Sequence, residues 1–369
     1  MSRSDYPNLF QAGEIGGLNL PCRIVTAPMT RVSAAAGGLA TGQMQAHYRA
    51  FAEGGFPLII SEGTYTDKEH SQGYLNQPGI TDQAQIDAWA RVTEAVHGAG
   101  GRIFQQLMHA GALSQHNDHA DGTRAPSSIR PVGEMARNYF GDGPYRTPAA
   151  LTTDEIEEIK AAFTQAAKNA VAAGFDGIEI HGANGYLLHQ FFSTATNRRD
   201  DAYGGSAGNR ARFHAEILAA VKAGAGGVPI GMRLSQMAVN NLEHVWEGGA
   251  DDAKALFSAM DAVGADYLHI NSVPAFKPVF GGDKTLAAHA REYFSGPVIA
   301  CGGMNDAVAA DGMIGAGDAD FVAMARGALA DPGWPNKIAV GDEPQAFDPG
   351  MTQPLATLDN TEAWRAQNA

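Results

Sequence analysis

Three side chains capable of hydrogen bonding lie close together in the stretch EIHGANGY, residues 179–186. His181, Asn184 and Tyr186 follow an apolar run, and glycines lie between them. Side chains of these types would suit a site that holds a polar group at the end of a buried strand. The structural alternatives are a satisfied core histidine, a turn asparagine and a packing tyrosine. The elements that surround the stretch must decide between these possibilities.

Polar residues also end most of the other apolar runs of the chain. They are Thr30, Glu62, Gln106, His109, His181, Asn184, Arg233, Asn271 and Arg326. No lysine ends any of these runs, so a Schiff-base aldolase would lack its nucleophile. No His-x-His motif is present at the first run and carboxylates are sparse, so a metal-dependent hydrolase would lack its ligands. The sequence therefore predicts no metal site.

Two further run ends, CGGM (301–304) and MARG (324–327), have the composition of a phosphate site. Gly302 and Gly303 would let the backbone approach a ligand closely, and Arg326 could grip a phosphate group through two hydrogen bonds. Tight turns alone would explain the glycines. The arginine in the matching position of the next run favours a phosphate group.

Arg233 ends the apolar run PIGMRLS (229–235), where an unpaired guanidinium would be costly to bury. Either an acid on a neighbouring strand or an electron-rich ligand must supply its partner. Gln106 could be satisfied by backbone groups, or it could bind the donor and acceptor edge of a planar ring. Together with the phosphate residues, these side chains predict a flat, phosphorylated ligand with a polar edge.

Eight short apolar runs, most of them next to glycine or proline, are the candidate strands. They span 23–29, 57–64, 102–109, 175–182, 229–235, 266–272, 297–303 and 320–327. Segments with helical spacing lie between them, and the clearest begins with a capping box of Thr152 and Glu155. Alternating strands and helices imply parallel pairing. Eight units, with no G-x-G-x-x-G turn after the first strand, predict an α/β fold of the (β/α)₈ TIM-barrel type, with its active site at the C-terminal strand ends.

Two segments fall outside this repeat. Residues 14–22 are expected to form a hairpin that closes the bottom of the barrel. Residues from about 110 to 150 form a long insertion after the third strand, rich in Gly, Pro, Asp and His. A connection of this length is more often a functional lid than a linker. We therefore expect one domain over residues 1–369, with the 110–150 segment capping the active site.

The composition limits the partners and the compartment. The formal net charge is −14 and no Lys/Arg block is present, which argues against nucleic acid or an anionic membrane surface as a partner. Two distant cysteines, Cys22 and Cys301, make a disulfide framework or an iron–sulfur site improbable. The first residues show no signal-peptide pattern, and no apolar run is long enough to span a bilayer. These features predict a cytoplasmic protein.

The assembled residues resemble the Old Yellow Enzyme family of FMN oxidoreductases, which are barrels that reduce activated alkenes. The resemblance extends from RIVTAPMTR (23–31) to MARGALADP (324–332), and its most specific part is residues 174–213. Asn197, Arg199, Asp201, the YGGS run (203–206), Asn209, Arg210, Arg212 and Phe213 all fall where the family pattern expects them.

The resemblance implies a residue-by-residue assignment of the cofactor site. It places Pro28, Met29 and Thr30 against the flavin, Gly63 along the ring, Gln106 at its pyrimidine edge and Arg233 beside N1 and the C2 carbonyl. Gly302, Gly303, Ala325 and Arg326 match the phosphate cradle, although Ala325 stands where glycine is commoner. Met108 stands where many members have tryptophan, as part of the wall beside the substrate. His109 is expected near the flavin edge in a supporting position.

The same resemblance implies an activity. His181 and Asn184 match the donors to the carbonyl or nitro oxygen of the substrate, and Tyr186 matches the proton donor. NADPH or NADH would reduce FMN and leave, and an α,β-unsaturated carbonyl or nitro compound would then be reduced in a ping-pong cycle.

Two other classes of protein stay open at this level. One is a TIM-barrel enzyme without flavin that acts on a phosphorylated substrate, and the other is a binding protein that has kept the fold and lost activity. The natural alkene and the choice between NADPH and NADH are left undetermined. A monomer and a homodimer are equally compatible with the sequence.

Overall fold

All eight candidate strands form, and they pair in parallel into a closed barrel. The computed structural model describes residues 1–368. The strands are β1 (Ile24–Thr26), β2 (Leu58–Ile60), β3 (Arg102–Met108), β4 (Gly177–Asn184), β5 (Ile230–Ala238), β6 (Tyr267–Asn271), β7 (Val298–Cys301) and β8 (Phe321–Met324). Each pairs with its sequence neighbours, β8 pairs with β1, and a two-residue strand, Thr64–Tyr65, adds to β3. The predicted (β/α)₈ TIM barrel is confirmed.

The helices of the repeat pack around this barrel. They are α1 (Gly42–Glu53), α2 (Gln83–Gly98), α3 (Thr153–Ala172), α5 (Ala207–Ala225), α6 (Ala250–Val263), α7 (Leu286–Tyr293), α8 (Ala307–Gly315) and α10 (Trp334–Val340). The predicted capping box of Thr152 and Glu155 begins α3. Three more helices, α4 (Leu187–Phe192), α9 (Arg326–Ala330) and α11 (Leu358–Asn368), were not predicted. Within residues 1–368, no helix combines the length and the apolar character that crossing a membrane requires.

The period-two alternation of the strands sorts their side chains into two environments. Even-numbered positions of β4, such as Ile178 and Ile180, join the core under the helices. The lower barrel interior is apolar and includes Phe104, Tyr267 and Phe321. Closer to the C-terminal ends of the strands, the inward-facing side chains are polar, as Gln106, His181 and Arg233 are. Because a barrel needs no polar side chains for packing there, this layer is a candidate for function.

The predicted N-terminal hairpin is confirmed. Gly13–Ile15 pairs antiparallel with Leu18–Leu20, and Ile15 and Leu20 join the apolar cluster inside the barrel. A Cβ at Gly16 would lie 2.7 Å from Cβ of Pro229, immediately before β5. The hairpin therefore covers the N-terminal, lower end of the barrel.

The insertion between β3 and α3 contains little regular structure. Two single-turn helices, Gly111–Leu113 and Arg137–Tyr139, and a two-stranded ladder of Arg124–Ala125 with Ala149–Ala150 organise it. Its second half contributes Glu134, Ala136, Asn138, Tyr139 and Tyr145 to a cavity at the C-terminal end of the barrel. This half therefore lies over the barrel mouth, as the sequence predicts for a cap.

His214 on α5 gives a pH-dependent contribution to stability. It is fully buried, and burial lowers the pKa of this histidine to about 3. The unfolded chain takes up a proton at this residue as the pH falls through about 6.5, whereas the folded chain does not. The folded state should therefore lose about 2 kcal/mol through His214 between pH 7 and pH 5.

A His214→Leu variant should remove this contribution. Its free energy of unfolding in urea should fall between pH 7 and pH 5 by about 2 kcal/mol less than that of the wild type. Equal falls in the two proteins would show that His214 is protonated in the folded state.

Candidate active site

A cavity of about 660 Å³ opens at the C-terminal ends of the strands. Ten of the residues predicted to bind cofactor or substrate line it: Pro28, Met29, Thr30, Gln106, His181, Asn184, Tyr186, Arg233, Ala325 and Arg326. They come from the ends of five strands and the loops that follow them. The fold thus brings together most of the set that the sequence singled out.

Arg233 points inward from β5 and is only 6% exposed. Its contact with Cys301 is weak, with Nη2 3.6 Å from Sγ, and its Nε has no partner within residues 1–368. In the described residues no carboxylate pairs with Arg233, so the structure does not supply the acid that would have made this arginine purely structural. A buried cation with free donors at a cavity wall suits an electron-rich ligand.

Gln106 points inward from β3, and its amide is fixed by a side chain of β4. Its Nε2 donates to Oε1 of Glu179 at 2.8 Å, and the two residues are register partners. The Gln106 amide is therefore satisfied by the side chain of Glu179 and not by backbone groups, which the sequence had left as one possibility. Because Nε2 is engaged, Oε1 is the atom that can accept a hydrogen bond from a ligand.

His181 presents a defined tautomer. Its Nδ1 accepts the backbone N–H of Ala183 at 3.3 Å, so the ring proton lies on Nε2. Burial lowers the pKa of His181 well below the ordinary value, and the charge of Arg233 lowers it further. The ring is therefore neutral at physiological pH and acts as a single N–H donor.

Asn184 ends β4 with φ 62°, a left-handed conformation that asparagine tolerates better than most residues. Nδ2 of Asn271, at the end of β6, donates to Oδ1 of Asn184 at 2.8 Å. Because this bond occupies the oxygen, the NH₂ group of Asn184 is left to donate elsewhere. The sequence marked Asn271 as a polar strand end but gave no sign of this contact.

Tyr186 lies beside His181, with the two rings edge to face and their centroids 4.8 Å apart. Its hydroxyl is 2.5 Å from that of Tyr74, which lies in the loop after β2. Burial raises the pKa of both phenols above the ordinary value, so both carry their protons. Tyr74 was not predicted, because nothing local relates two residues 112 positions apart.

The C-terminal segment forms another wall of the cavity. Phe347, Pro349, Thr352 and Gln353 line the cavity. Arg31, directly after Thr30, holds this segment: its Nη2 donates to the carbonyl of Thr357 at 2.8 Å and to Oγ1 of Thr361. The C-terminal segment is thus hydrogen-bonded to the loop after β1, which carries the residues predicted to face the flavin.

Four predicted residues do not line the cavity. Met108 was expected in the wall beside the substrate, but it is 1% exposed and packs with Tyr74 and Leu113. Gly63 provides the space for it, since an added Cβ would lie 2.5 Å from Sδ of Met108 and 3.4 Å from Oε1 of Gln106. The absence of a side chain at Gly63 therefore leaves room for both Met108 and Gln106.

Gly302 and Gly303 form the turn after β7, and both have positive φ, 126° and 81°. A Cβ at Gly302 would meet the carbonyl oxygen of Ser272 at 1.8 Å, so only glycine fits. Next to this turn, Cys301 pairs with Ala323 in β8, two residues before Ala325. Arg326 begins α9 and does not end β8, so the predicted strand 320–327 was too long.

His109 was expected near the flavin edge, and this expectation was wrong. It lines a separate cavity of about 360 Å³ together with Asp67, His70 and Arg124. The inward side chains of β3 are even-numbered, as Phe104 and Gln106 show. An odd-numbered residue that follows them therefore faces outward.

The fold and the cavity define an α/β-barrel enzyme whose site could hold a planar, phosphorylated cofactor. Comparison with known proteins gives the family. The model of the NADH:flavin oxidoreductase / NADH oxidase family matches residues 8–345. A probable flavin mononucleotide-dependent alkene reductase of Leishmania infantum is 36% identical over 328 residues, which are 86% of this chain and 86% of that protein.

Solved structures agree with this. Morphinone reductase in complex with tetrahydroNAD is 35% identical, with a TM-score of 0.83 over 96% of each chain. An old yellow enzyme homologue from Zymomonas mobilis is 30% identical, with a TM-score of 0.84 over 95% of this chain and 99% of that one. The chain belongs to the NADH:flavin oxidoreductase / NADH oxidase family, that is, the Old Yellow Enzyme family. It is an oxidoreductase that uses FMN and a nicotinamide cofactor.

The residues of the cavity fit FMN. Arg233 supplies a buried Nε that has no partner in the described residues, and Gln106 supplies a free acceptor in its Oε1. Arg326 is exposed at the cavity and, within residues 1–368, forms no ion pair. Its guanidinium lies 5.7 Å from the centroid of the Phe347 ring. The cationic group therefore remains available for a phosphate.

Replacing Arg326 by alanine should weaken FMN binding by about 10- to 100-fold, since a hydrogen bond to a charged group contributes about 1.5–3 kcal/mol. Riboflavin lacks the phosphate and is the matched control, so its dissociation constant should not change. Fluorescence titration measures both constants. An equal loss of affinity for the two flavins would show that Arg326 acts on the shape of the cavity and not on the phosphate.

Proposed function

We propose that this protein reduces the C=C bond of α,β-unsaturated carbonyl or nitro compounds with electrons from NADPH or NADH. The observation that supports this most is the convergence of two fixed N–H donors and one protonated phenol on a single cavity. His181 and Asn184 are the donors, and Tyr186 is the phenol. When bound, FMN would supply the redox chemistry, that is, hydride transfer between the nicotinamide cofactor and the β-carbon of the alkene.

His181 and Asn184 bind the carbonyl or nitro oxygen of the alkene. Each has one hydrogen-bonding direction fixed by the protein, through Ala183 for the histidine and through Asn271 for the asparagine. Donors fixed in this way need no reorganisation as negative charge develops on the oxygen, and they act in a water-poor site. They therefore stabilise the transition state more than the ground state.

Tyr186 delivers the proton to the α-carbon. Its phenol keeps its proton because burial raises its pKa, and its oxygen lies 2.5 Å from that of Tyr74. A tyrosinate formed at Tyr186 would be stabilised by a hydrogen bond from Tyr74. We assign Tyr74 as the group that holds Tyr186 in position and supports it as it loses the proton.

The flavin ring would be held by Pro28, Met29, Thr30, Gln106 and Arg233. Its phosphate would be held by Gly302, Gly303, Ala325 and Arg326. Gly63 leaves room beside this site for the side chains of Met108 and Gln106. The nicotinamide and the alkene would use the remaining space in turn, which gives ping-pong kinetics. The non-flavin alternative is set aside by family membership.

Isotope labelling of the product tests the proposed reaction. With 2-cyclohexenone and NADPH deuterated at the transferred position of C4, the saturated ketone should carry one deuterium at the β-carbon. With unlabelled NADPH in D₂O, the α-carbon should gain the deuterium. Formation of an unsaturated alcohol, with label on the carbonyl carbon, would contradict the proposal.

A further inference from the structure

One buried carboxylate connects the two side chains that we assign to the pyrimidine end of the flavin. Glu179 points inward from β4 and is completely buried. Its Oε1 accepts from Nε2 of Gln106 at 2.8 Å, and its Oε2 accepts from Nδ1 of His269 at 2.8 Å. The hydroxyl of Tyr267 lies 3.4 Å from Oε2, below the pair. Each carboxylate oxygen thus has its own partner.

The Glu179 and His269 side chains form an ion pair inside the barrel. Both are 0% exposed. Burial lowers the pKa of His269, but the Glu179 carboxylate more than offsets this, and the pKa lies above its ordinary value. Opposite charges are tolerated in a dry interior only when they are paired and hydrogen-bonded. The carboxylate is therefore held by His269 at Oε2, and its Oε1 accepts from Gln106.

His269 in turn lies beside Arg233. The two residues are register partners in β5 and β6, and both point inward. Cys301 on β7 contacts the same arginine, with Sγ 3.6 Å from Nη2. His269 thus connects the two residues, because it neighbours Arg233 and is hydrogen-bonded to Glu179.

We propose that Glu179 is a positioning residue for FMN, which fixes the Gln106 amide so that its Oε1, and not its NH₂ group, meets the cofactor. This inference rests on the proposed placement of the pyrimidine ring between Gln106 and Arg233. The pyrimidine edge of a flavin presents one N–H between two carbonyl oxygens. An acceptor from Gln106 and donors from Arg233 match that pattern.

A Glu179→Gln substitution preserves the size of the side chain and removes one acceptor. The new amide has a single oxygen, and because Gln106 and His269 contact different oxygens of the carboxylate, only one of them can keep its acceptor in place. Where its NH₂ group faces Gln106, the Gln106 amide must turn over to accept, and it then presents NH₂ to the flavin N–H. Two donors facing each other leave both without a partner, so we expect FMN to bind at least about 10-fold more weakly.

The experiment is a double-mutant cycle on the full-length holoenzyme. The dissociation constant of FMN is measured from the fluorescence released on dilution, for the wild type, Glu179→Gln, Gln106→Met and the double variant. Because Glu179 acts through Gln106, its substitution should weaken binding by less than about 3-fold once Gln106 is methionine. A merely structural role would give the same loss of affinity in both backgrounds.

A control substitution in another buried ion pair separates a general loss of stability from a specific effect on the positioning of FMN. Arg210 and Asp252 form another buried ion pair, 2.7 Å apart, in the outer layer between α5 and α6. Asp252→Asn should lower stability and leave the FMN dissociation constant within about 2-fold of the wild-type value. Should Glu179→Gln fail to fold, Glu179→Gln/His269→Asn removes both charges together, and the same loss of affinity is expected.

The outcomes are distinguishable. Weak FMN binding by Gln106→Met but normal binding by Glu179→Gln would overturn this inference and keep the proposed site. Normal binding by Gln106→Met would contradict the placement of the pyrimidine ring, and with it the inference. Equal loss of affinity from Glu179→Gln in both backgrounds would make Glu179 a structural residue only.

Discussion

Replacing Tyr186 by phenylalanine should slow the transfer of electrons to an alkene by about 10²- to 10⁴-fold, the range that a positioned general acid contributes. The variant keeps the ring that packs edge to face against His181 and loses only the hydroxyl. Reduction by NADPH needs no proton from this phenol, so its rate should remain within about 2-fold of the wild-type rate. Anaerobic stopped-flow absorbance measures the two half-reactions separately.

Tyr74→Phe is the matched control for this prediction. It removes the partner hydroxyl at 2.5 Å but leaves the proton donor in place. Loss of one supporting hydrogen bond, about 1 kcal/mol, should slow alkene reduction by less than about 10-fold. Equal slowing of both half-reactions in Tyr186→Phe would show that this tyrosine shapes the cavity and does not donate the proton.

Removing either donor to the substrate oxygen should have an effect of similar size. His181→Ala and Asn184→Ala should each slow alkene reduction by about 10²- to 10³-fold, as the loss of one oxyanion-hole donor does. Because both donors bind one oxygen, the double variant should lose less than the product of the two single losses. The measurement is again the rate at which alkene reoxidises the reduced protein.

Asn271→Asp tests whether the direction of the Asn184 amide matters. Asn271 donates to Oδ1 of Asn184 at 2.8 Å, and an aspartate of the same shape can only accept. The Asn184 amide should then turn its NH₂ group towards residue 271 and its oxygen towards the substrate. The rate should fall about as far as in Asn184→Ala. A rate near that of the wild type would mean that the amide is oriented by other contacts.

The sequence predicted the barrel because a parallel strand buried on both faces leaves a short, continuous apolar run. PVIACGG and DFVAMARG are such runs, and they became β7 and β8. Helices with a clear apolar face were equally easy to predict from the sequence. The helix α4, with sequence LLHQFF, was not predicted, because all six of its residues are buried and it is too short to show a period.

The residues of the candidate site were predictable where they lie at or near the ends of the apolar runs in the sequence. His181 and Arg233 are examples, since parallel strands bring their carboxyl ends to one face. Contacts between distant loops were not predictable: nothing local joins Tyr74 to Tyr186, or Phe347 in the C-terminal segment to Arg326. His109 shows a signal that was present and missed, because its odd-numbered position directly after β3 directs it away from the barrel interior.

The position of Glu179 was also encoded in the strand. It precedes His181 by two residues, and a period of two puts both side chains on the inward face. Its partners Gln106 and His269, however, come from strands 73 and 90 residues away in the chain. Only the closed barrel brings these three groups together.

The most direct test of the central claim is the visible spectrum of the purified protein, followed anaerobically through two additions. We predict a yellow protein that bleaches when NADPH is added and regains its colour when 2-cyclohexenone follows, with the saturated ketone as product. A protein that bleaches with NADPH but stays bleached with the enone would contradict the proposed alkene reduction.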